Sequence, residues 1–153
     1  HFDRGSVDAS DPVERESCRP DMSILCYPVI SFTETFRHSG SMRNLLGEES
    51  AEDLRVLLSN ELHVTEETPP AFLWHTAEDS GVPVENSLAY AAALSRHNVR
   101  FALHVFPNGK HGLGLAPDHP EVSAWTALCA TWLASRGFRL ADGIPSPSGR
   151  GLG

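Results

Sequence analysis

The sequence predicts an α/β fold with about three parallel strands and flanking helices. Three observations carry this expectation. Apolar runs of strand length occur at residues 22–27, 71–75 and 100–105, and helical patterns at 83–97 and 120–136 alternate with them. The first run, Met22-Ser23-Ile24-Leu25-Cys26-Tyr27, is nearly all apolar, as in a strand covered on both faces. At 153 residues with 41% hydrophobic content, the chain is long enough to close one core.

Each element has its own signal. Residues 1–20 are polar and irregular; Asp8, Asp11 and Pro12 mark turns, with a short helical turn expected over 13–17. Pro28 stops the first strand, which reads as central in its sheet although nothing upstream could pair with it. Residues 31–47 read as a mixed loop, fastened by Phe32, Phe36, Leu45 and Leu46 and ended by Gly47. Ser50 stands as N-cap of a helix over 51–58, with Asp53 at the capping-box position and Leu54, Leu57 and Leu58 as its apolar face. A linker closing in Thr68-Pro69-Pro70 leads to the second strand. The helix over 83–97 gathers Leu88, Ala91, Ala92 and Leu94 near one face. The last helix carries Val122, Trp125, Leu128, Cys129, Trp132 and Leu133 at helical spacing, and Gly137 ends it. Residues 139–153, rich in Gly, Pro and Ser, read as a disordered tail.

Composition excludes several function classes. A net charge of -8 and a pI near 5.4 argue against binding a phosphate backbone, so no nucleic-acid partner is expected. No apolar run approaches the roughly 18 residues of a membrane-spanning helix. The three cysteines, Cys18, Cys26 and Cys129, have no CxxC spacing, and the eight histidines form neither HExxH nor HxxxH, so no metal site or cofactor is expected. Gly109-Lys110 lacks the remainder of a phosphate-binding loop. Trp74, Trp125 and Trp132 sit at core spacing. The start at His1, without methionine, reads as a processed product or a piece of a longer polypeptide.

The chemistry gathers after the second and third strands. Phe106-Pro107-Asn108-Gly109-Lys110-His111-Gly112-Leu113-Gly114 places a histidine among glycines just past a strand end, with Gly109, Gly112 and Gly114 leaving room for close approach. Taken singly, this is equally a glycine-rich turn with a surface histidine. Asp79 lies in the loop after the preceding strand, and a lone loop aspartate is ordinarily a solvated acid. Together they gain weight. Ligands of open parallel sheets bind outside the carboxyl ends of the strands, and neighbouring strands place both loops on that edge. An aspartate accepting from one imidazole nitrogen fixes the tautomer and leaves the other nitrogen to act as a base.

These residues carry a resemblance. Asp79-Ser80-Gly81-Val82-Pro83 is a D-x-x-V-P motif, and Gly109-Lys110-His111-Gly112 is G-x-H-G. With the stretches at 20–31, 44–47, 58–79, 82–94 and 104–116, the chain resembles the C-terminal half of an α/β-hydrolase. It is most similar to the esterase group that includes acetyl-xylan and feruloyl esterases, related to prolyl-oligopeptidase-type peptidases. The resemblance implies a partial α/β-hydrolase domain over 1–138 whose N-terminal half is absent. It makes Asp79 the triad acid and His111 the triad base, with a small-molecule or polysaccharide ester as substrate and no cofactor. Alternatives are a peptidase of the prolyl-oligopeptidase type, or a non-catalytic binding module on the same fold.

The chain departs from the family pattern at two points. The nucleophile elbow G-x-S-x-G is absent, and so is the glycine-rich oxyanion-hole loop; Ser41, in Ser39-Gly40-Ser41, is the nearest imitation but lacks the second glycine. The parent is therefore expected to be a serine hydrolase, and this chain alone is expected to be inactive.

Overall fold

In the computed structural model, residues 2 and 4–138 are described, and the tail expected at 139–153 lies outside them. The elements alternate as the sequence predicts. Strands β1 (Ser23–Cys26), β2 (Ala71–Thr76) and β3 (Phe101–Phe106) form one sheet in the order β1-β2-β3. Both pairings are parallel, with Cys26 opposite Trp74 and Thr76 opposite Phe106. Helices α1 (Ser39–Leu46) and α2 (Glu52–Leu57) lie in the first crossover and α3 (Glu85–Arg96) in the second, while α4 (Pro120–Ser123) and α5 (Trp125–Ala134) follow β3.

The sheet has a core on each face. On one, Phe72, Trp74, Phe106, Ala116, Val122, Cys129 and Trp132 pack together beneath α4 and α5. On the other, Ala71, Leu73, Val64, Ala93, Leu94 and Val99 pack beneath α3. Every residue of β2 is buried, so its apolar run, Ala71 to Trp74, is covered from both faces and both neighbours. This strand, not β1, is the central one among the described residues. β1 pairs on one side only and leaves Ile24 42% exposed.

Several local expectations are corrected. The segment read as loop over 31–47 contains α1. Its start is capped by a histidine rather than by Ser, Thr or Asp: the His38 Nδ1 accepts from the Ser41 N–H. Phe32 and Met42 fasten this region to the body, whereas Leu45 is exposed. Helix α2 begins after Ala51, with no side-chain cap from Ser50, and its Leu54 and Leu57 face outward. In α3, Leu88 and Ala92 are exposed, and the inward face carries Asn86 and Ser87 instead. Two apolar residues give way to two polar ones because both polar groups meet partners inside. Asn86 Oδ1 accepts from the Ile30 and Ser31 N–H groups, and its amide donates to the Phe36 and Pro83 carbonyls. The final helix is broken at Ala124 into α4 and α5, the Ala124 N–H closing a tighter turn onto the Glu121 carbonyl.

Cys26 and Cys129 are free thiols. Among the described residues no helix is long and apolar enough to cross a membrane, and no cluster of His, Cys, Asp and Glu has metal-binding geometry.

Candidate active site

β2 ends at Thr76 and β3 at Phe106, opposite one another, and the chain leaves both at the same edge. Asp79 follows three residues after β2. Its carboxylate is buried and fully engaged: Oδ1 accepts from the Gly81 N–H (2.9 Å) and the Val82 N–H (2.8 Å). Oδ2 lies 2.8 Å from Nδ1 of His111. The structure thus brings together the two residues singled out from sequence. His111 keeps 40% of its side chain exposed while Asp79 keeps none, so the acid is enclosed and the imidazole opens outward. Burial works to raise the Asp79 pKa. The Val82 N–H, the His111 contact and the Gly81 N–H outweigh it, and the group sits below the ordinary aspartate value.

The loop that carries His111 is held at several points. The Thr76 hydroxyl donates to the Gly109 carbonyl (2.7 Å), and the Gly109 N–H donates to Glu78 Oε2 (3.0 Å). Glu78 therefore serves the loop backbone, not the imidazole. Gly109 has a φ of 139°, and a Cβ there would come within 2.7 Å of Leu113 Cδ1 and 3.0 Å of Thr76 Cγ2. Gly112 and Gly114 have positive φ but open space where a Cβ would stand, so turn conformation and not close approach calls for glycine there. A further close approach, this one to His111 itself, lies at Gly81, where a Cβ would meet the Cβ of His111 at 3.1 Å.

Sequence reasoning missed Tyr27 and His75. Tyr27 leaves β1 at the same sheet edge and takes a φ of 39°, rare for a bulky side chain. Its ring meets His111 edge-on at 4.8 Å and Trp74 at 4.9 Å, and its hydroxyl accepts from the Gly114 N–H. The available signal was a tyrosine directly before Pro28 at a strand end. His75, read only as the end of a strand, is fully buried behind Asp79, with Nε2 3.3 Å from Oδ2. Its signal was a histidine in an otherwise apolar central strand.

Ser41 does not join the site as a nucleophile elbow. It lies in the first turn of α1, and its Oγ is 2.8 Å from His38 Nδ1. Among the described residues no serine hydrogen-bonds His111.

The geometry has close relatives. A model described as the prolyl oligopeptidase family matches residues 27–136. The chain is 45% identical over 127 residues to an endo-1,4-beta-xylanase B of Butyrivibrio fibrisolvens, covering 82% of this chain and 19% of that protein. It is 37% identical over 100 residues to an acetylxylan esterase of Xylanibacter ruminicola, covering 63% of this chain and 21% of that one. Among solved structures, an acetyl ester-xyloside bifunctional hydrolase from Caldicellulosiruptor lactoaceticus superposes with a TM-score of 0.88 at 56% identity, over 90% of this chain and 50% of that one. The chain thus spans about a fifth of these curated relatives and half of that solved structure. Its three-stranded parallel sheet is part of an α/β-hydrolase fold.

Proposed function

The chain belongs to the prolyl oligopeptidase family, and on that premise we propose that it supplies the acid and base of a serine carboxylesterase. The carrying observation is the Asp79–His111 contact of 2.8 Å at the carboxyl edge of adjacent parallel strands. Buried Asp79 holds the Nδ1 proton of His111, which leaves Nε2 unprotonated. A serine on a nucleophile elbow elsewhere in the whole protein donates its proton to Nε2 as its oxygen attacks the ester carbonyl. His111 then returns that proton to the departing alkoxide, and a water repeats the sequence on the acyl-enzyme. Backbone donors beside the elbow stabilise the tetrahedral oxyanion. The substrate class is an ester of small or polysaccharide alcohols, acetylated or feruloylated plant polysaccharide first among them. The similarity to an acetylxylan esterase and an acetyl ester-xyloside hydrolase supports that choice.

The family's description favours one second reading, a peptidase. Steady-state kinetics of the whole protein on acetylated xylan, feruloyl esters and proline-containing peptides separates the two. We expect ester turnover, lowered in Asp79→Asn by up to roughly 10⁴-fold in kcat through loss of the correct tautomer. Undiminished turnover in both Asp79→Asn and His111→Ala would remove the assignment, and turnover of peptides alone would establish the second reading.

A further inference from the structure

We propose that His75 is a positioning residue for the Asp79–His111 pair, gripping Asp79 from behind as a neutral imidazole with its proton on Nε2. The inference rests on the reading of Asp79 and His111 as acid and base. His75 lies in the central strand β2 and is completely buried. Both ring nitrogens are engaged, Nε2 with the Val82 carbonyl at 2.9 Å and Nδ1 with the Ser87 hydroxyl at 2.8 Å. A carbonyl can only accept, so Nε2 carries a proton; the Ser87 hydroxyl can donate, so Nδ1 has a partner without one. The partners on either side thus select one neutral tautomer.

That tautomer acts on Asp79 by two routes. Nε2 stands 3.3 Å from Oδ2, the same oxygen that meets His111, as a polar contact beside its hydrogen bond to the Val82 carbonyl. The hydrogen bond from His75 also fixes the carbonyl of Val82, whose own N–H donates to Oδ1 of Asp79. The imidazole therefore supports Oδ1 through a single residue of backbone and sets its Nε2 edge against Oδ2. The titratable groups facing it are Asp79 and His111, and its neighbour across the sheet, Val105, is apolar. Burial is the chief influence keeping His75 below the usual histidine value, against the Val82 carbonyl and Asp79. An uncharged His75 leaves the negative charge of Asp79 to His111; an imidazolium would share it. A residue that merely filled this space could be apolar, but Val82 and Ser87 would then lose a buried partner.

The test uses the whole protein and p-nitrophenyl acetate, with His75→Gln, His75→Phe, Asp79→Asn and His111→Ala compared. Glutamine can place an amide N–H near the position of Nε2; phenylalanine keeps the volume and donates nothing. We expect His75→Phe to lower kcat by roughly 10–100-fold with KM little changed, the range typical when hydrogen-bond partners behind a functional group are removed. His75→Gln should recover most of that loss. Equal losses in both variants, or a folded His75→Phe protein with unaltered kcat, overturn the inference. Undiminished turnover in Asp79→Asn and His111→Ala overturns instead the acid–base reading beneath it. If His75→Phe does not fold, imidazole ¹⁵N NMR of the unaltered protein decides. A neutral His75 protonated on Nε2 at neutral pH supports the proposal, and a proton on Nδ1 or an imidazolium refutes it.

Discussion

At the scale of single residues, His111 opens outward on one side and is closely backed on the other. Gly81 illustrates this: a Cβ there would stand 3.1 Å from the His111 Cβ, tight enough that the imidazole must move by a few tenths of an ångström. A displacement of 1 Å at a reacting group can cost roughly 10²-fold. Gly81→Ala should therefore lower kcat by about tenfold while leaving KM nearly unaltered, which steady-state kinetics of the whole protein would measure. The lowered groups His75, His104 and Asp79 also predict an acid response in two stages. His75 and His104 are both held below the usual histidine value, by burial first, so each binds a proton more readily when unfolded. The stability they confer is complete above roughly pH 6.5 and declines as the pH falls from there. Asp79, also lowered, adds a loss that sets in below roughly pH 4 and grows as the pH falls through its folded value. Thermal unfolding midpoints between pH 8 and pH 3 should fall in that order, the first stage shrinking in His75→Phe and the second in Asp79→Asn. Order along the chain makes Asp79 and His111 neighbours, since each follows its own strand and parallel pairing places those loops together; their roles are what the resemblance implies. His75 and Tyr27 were illegible for the converse reason. Their contacts depend on side-chain direction at a strand end, which spacing does not encode.

At the scale of elements, the strands were legible because each is a compact apolar run, and the periodicity of 83–97 and 120–136 gave the later helices. The corrections to the helices share a cause: apolar periodicity does not by itself mark the buried face. In α3 the buried face includes Asn86, because the crossover before it needs backbone partners, and Ser87, which meets His75, while Leu88 is left outside. Asn86 ties the stretch after β1 to the start of α3 through contacts with Ile30, Ser31, Phe36 and Pro83. Asn86→Ala strips the acceptor from two buried N–H groups, at about 1–3 kcal/mol each. We expect a loss of about 3 kcal/mol, read by urea denaturation with unchanged m-value. A loss below about 1 kcal/mol would show that water replaces the side chain and that this staple is dispensable. Helix α1 was missed for a related reason. Its start is capped by His38, and Ser39-Gly40-Ser41 has poor helix propensity, so neither a strong cap signal nor a propensity signal announced it.

At the scale of the whole molecule, the sheet is narrow and its two outer strands differ. Among the described residues β1 and β3 each pair with β2 alone. The outer side of a strand presents alternate N–H and C=O groups ready to pair with another chain. β1 is the more hazardous edge: it lies in the apolar run Met22 to Tyr27 and leaves Ile24 42% exposed without a charged residue inside the strand. β3 is similar in the exposure of Val105, at 43%, but its run is interrupted by the polar side chain of His104. The chain expressed by itself should therefore self-associate through β1, with sedimentation velocity showing species larger than a monomer that grow with concentration. A lysine placed on an edge strand opposes such pairing because its charge must be desolvated against the incoming strand. Ile24→Lys should accordingly shift the distribution towards monomer, whereas Val105→Lys should change it little. A monodisperse monomer for the unaltered chain would mean that the β1 edge is protected. Suppression by Val105→Lys instead would move the association to the opposite edge.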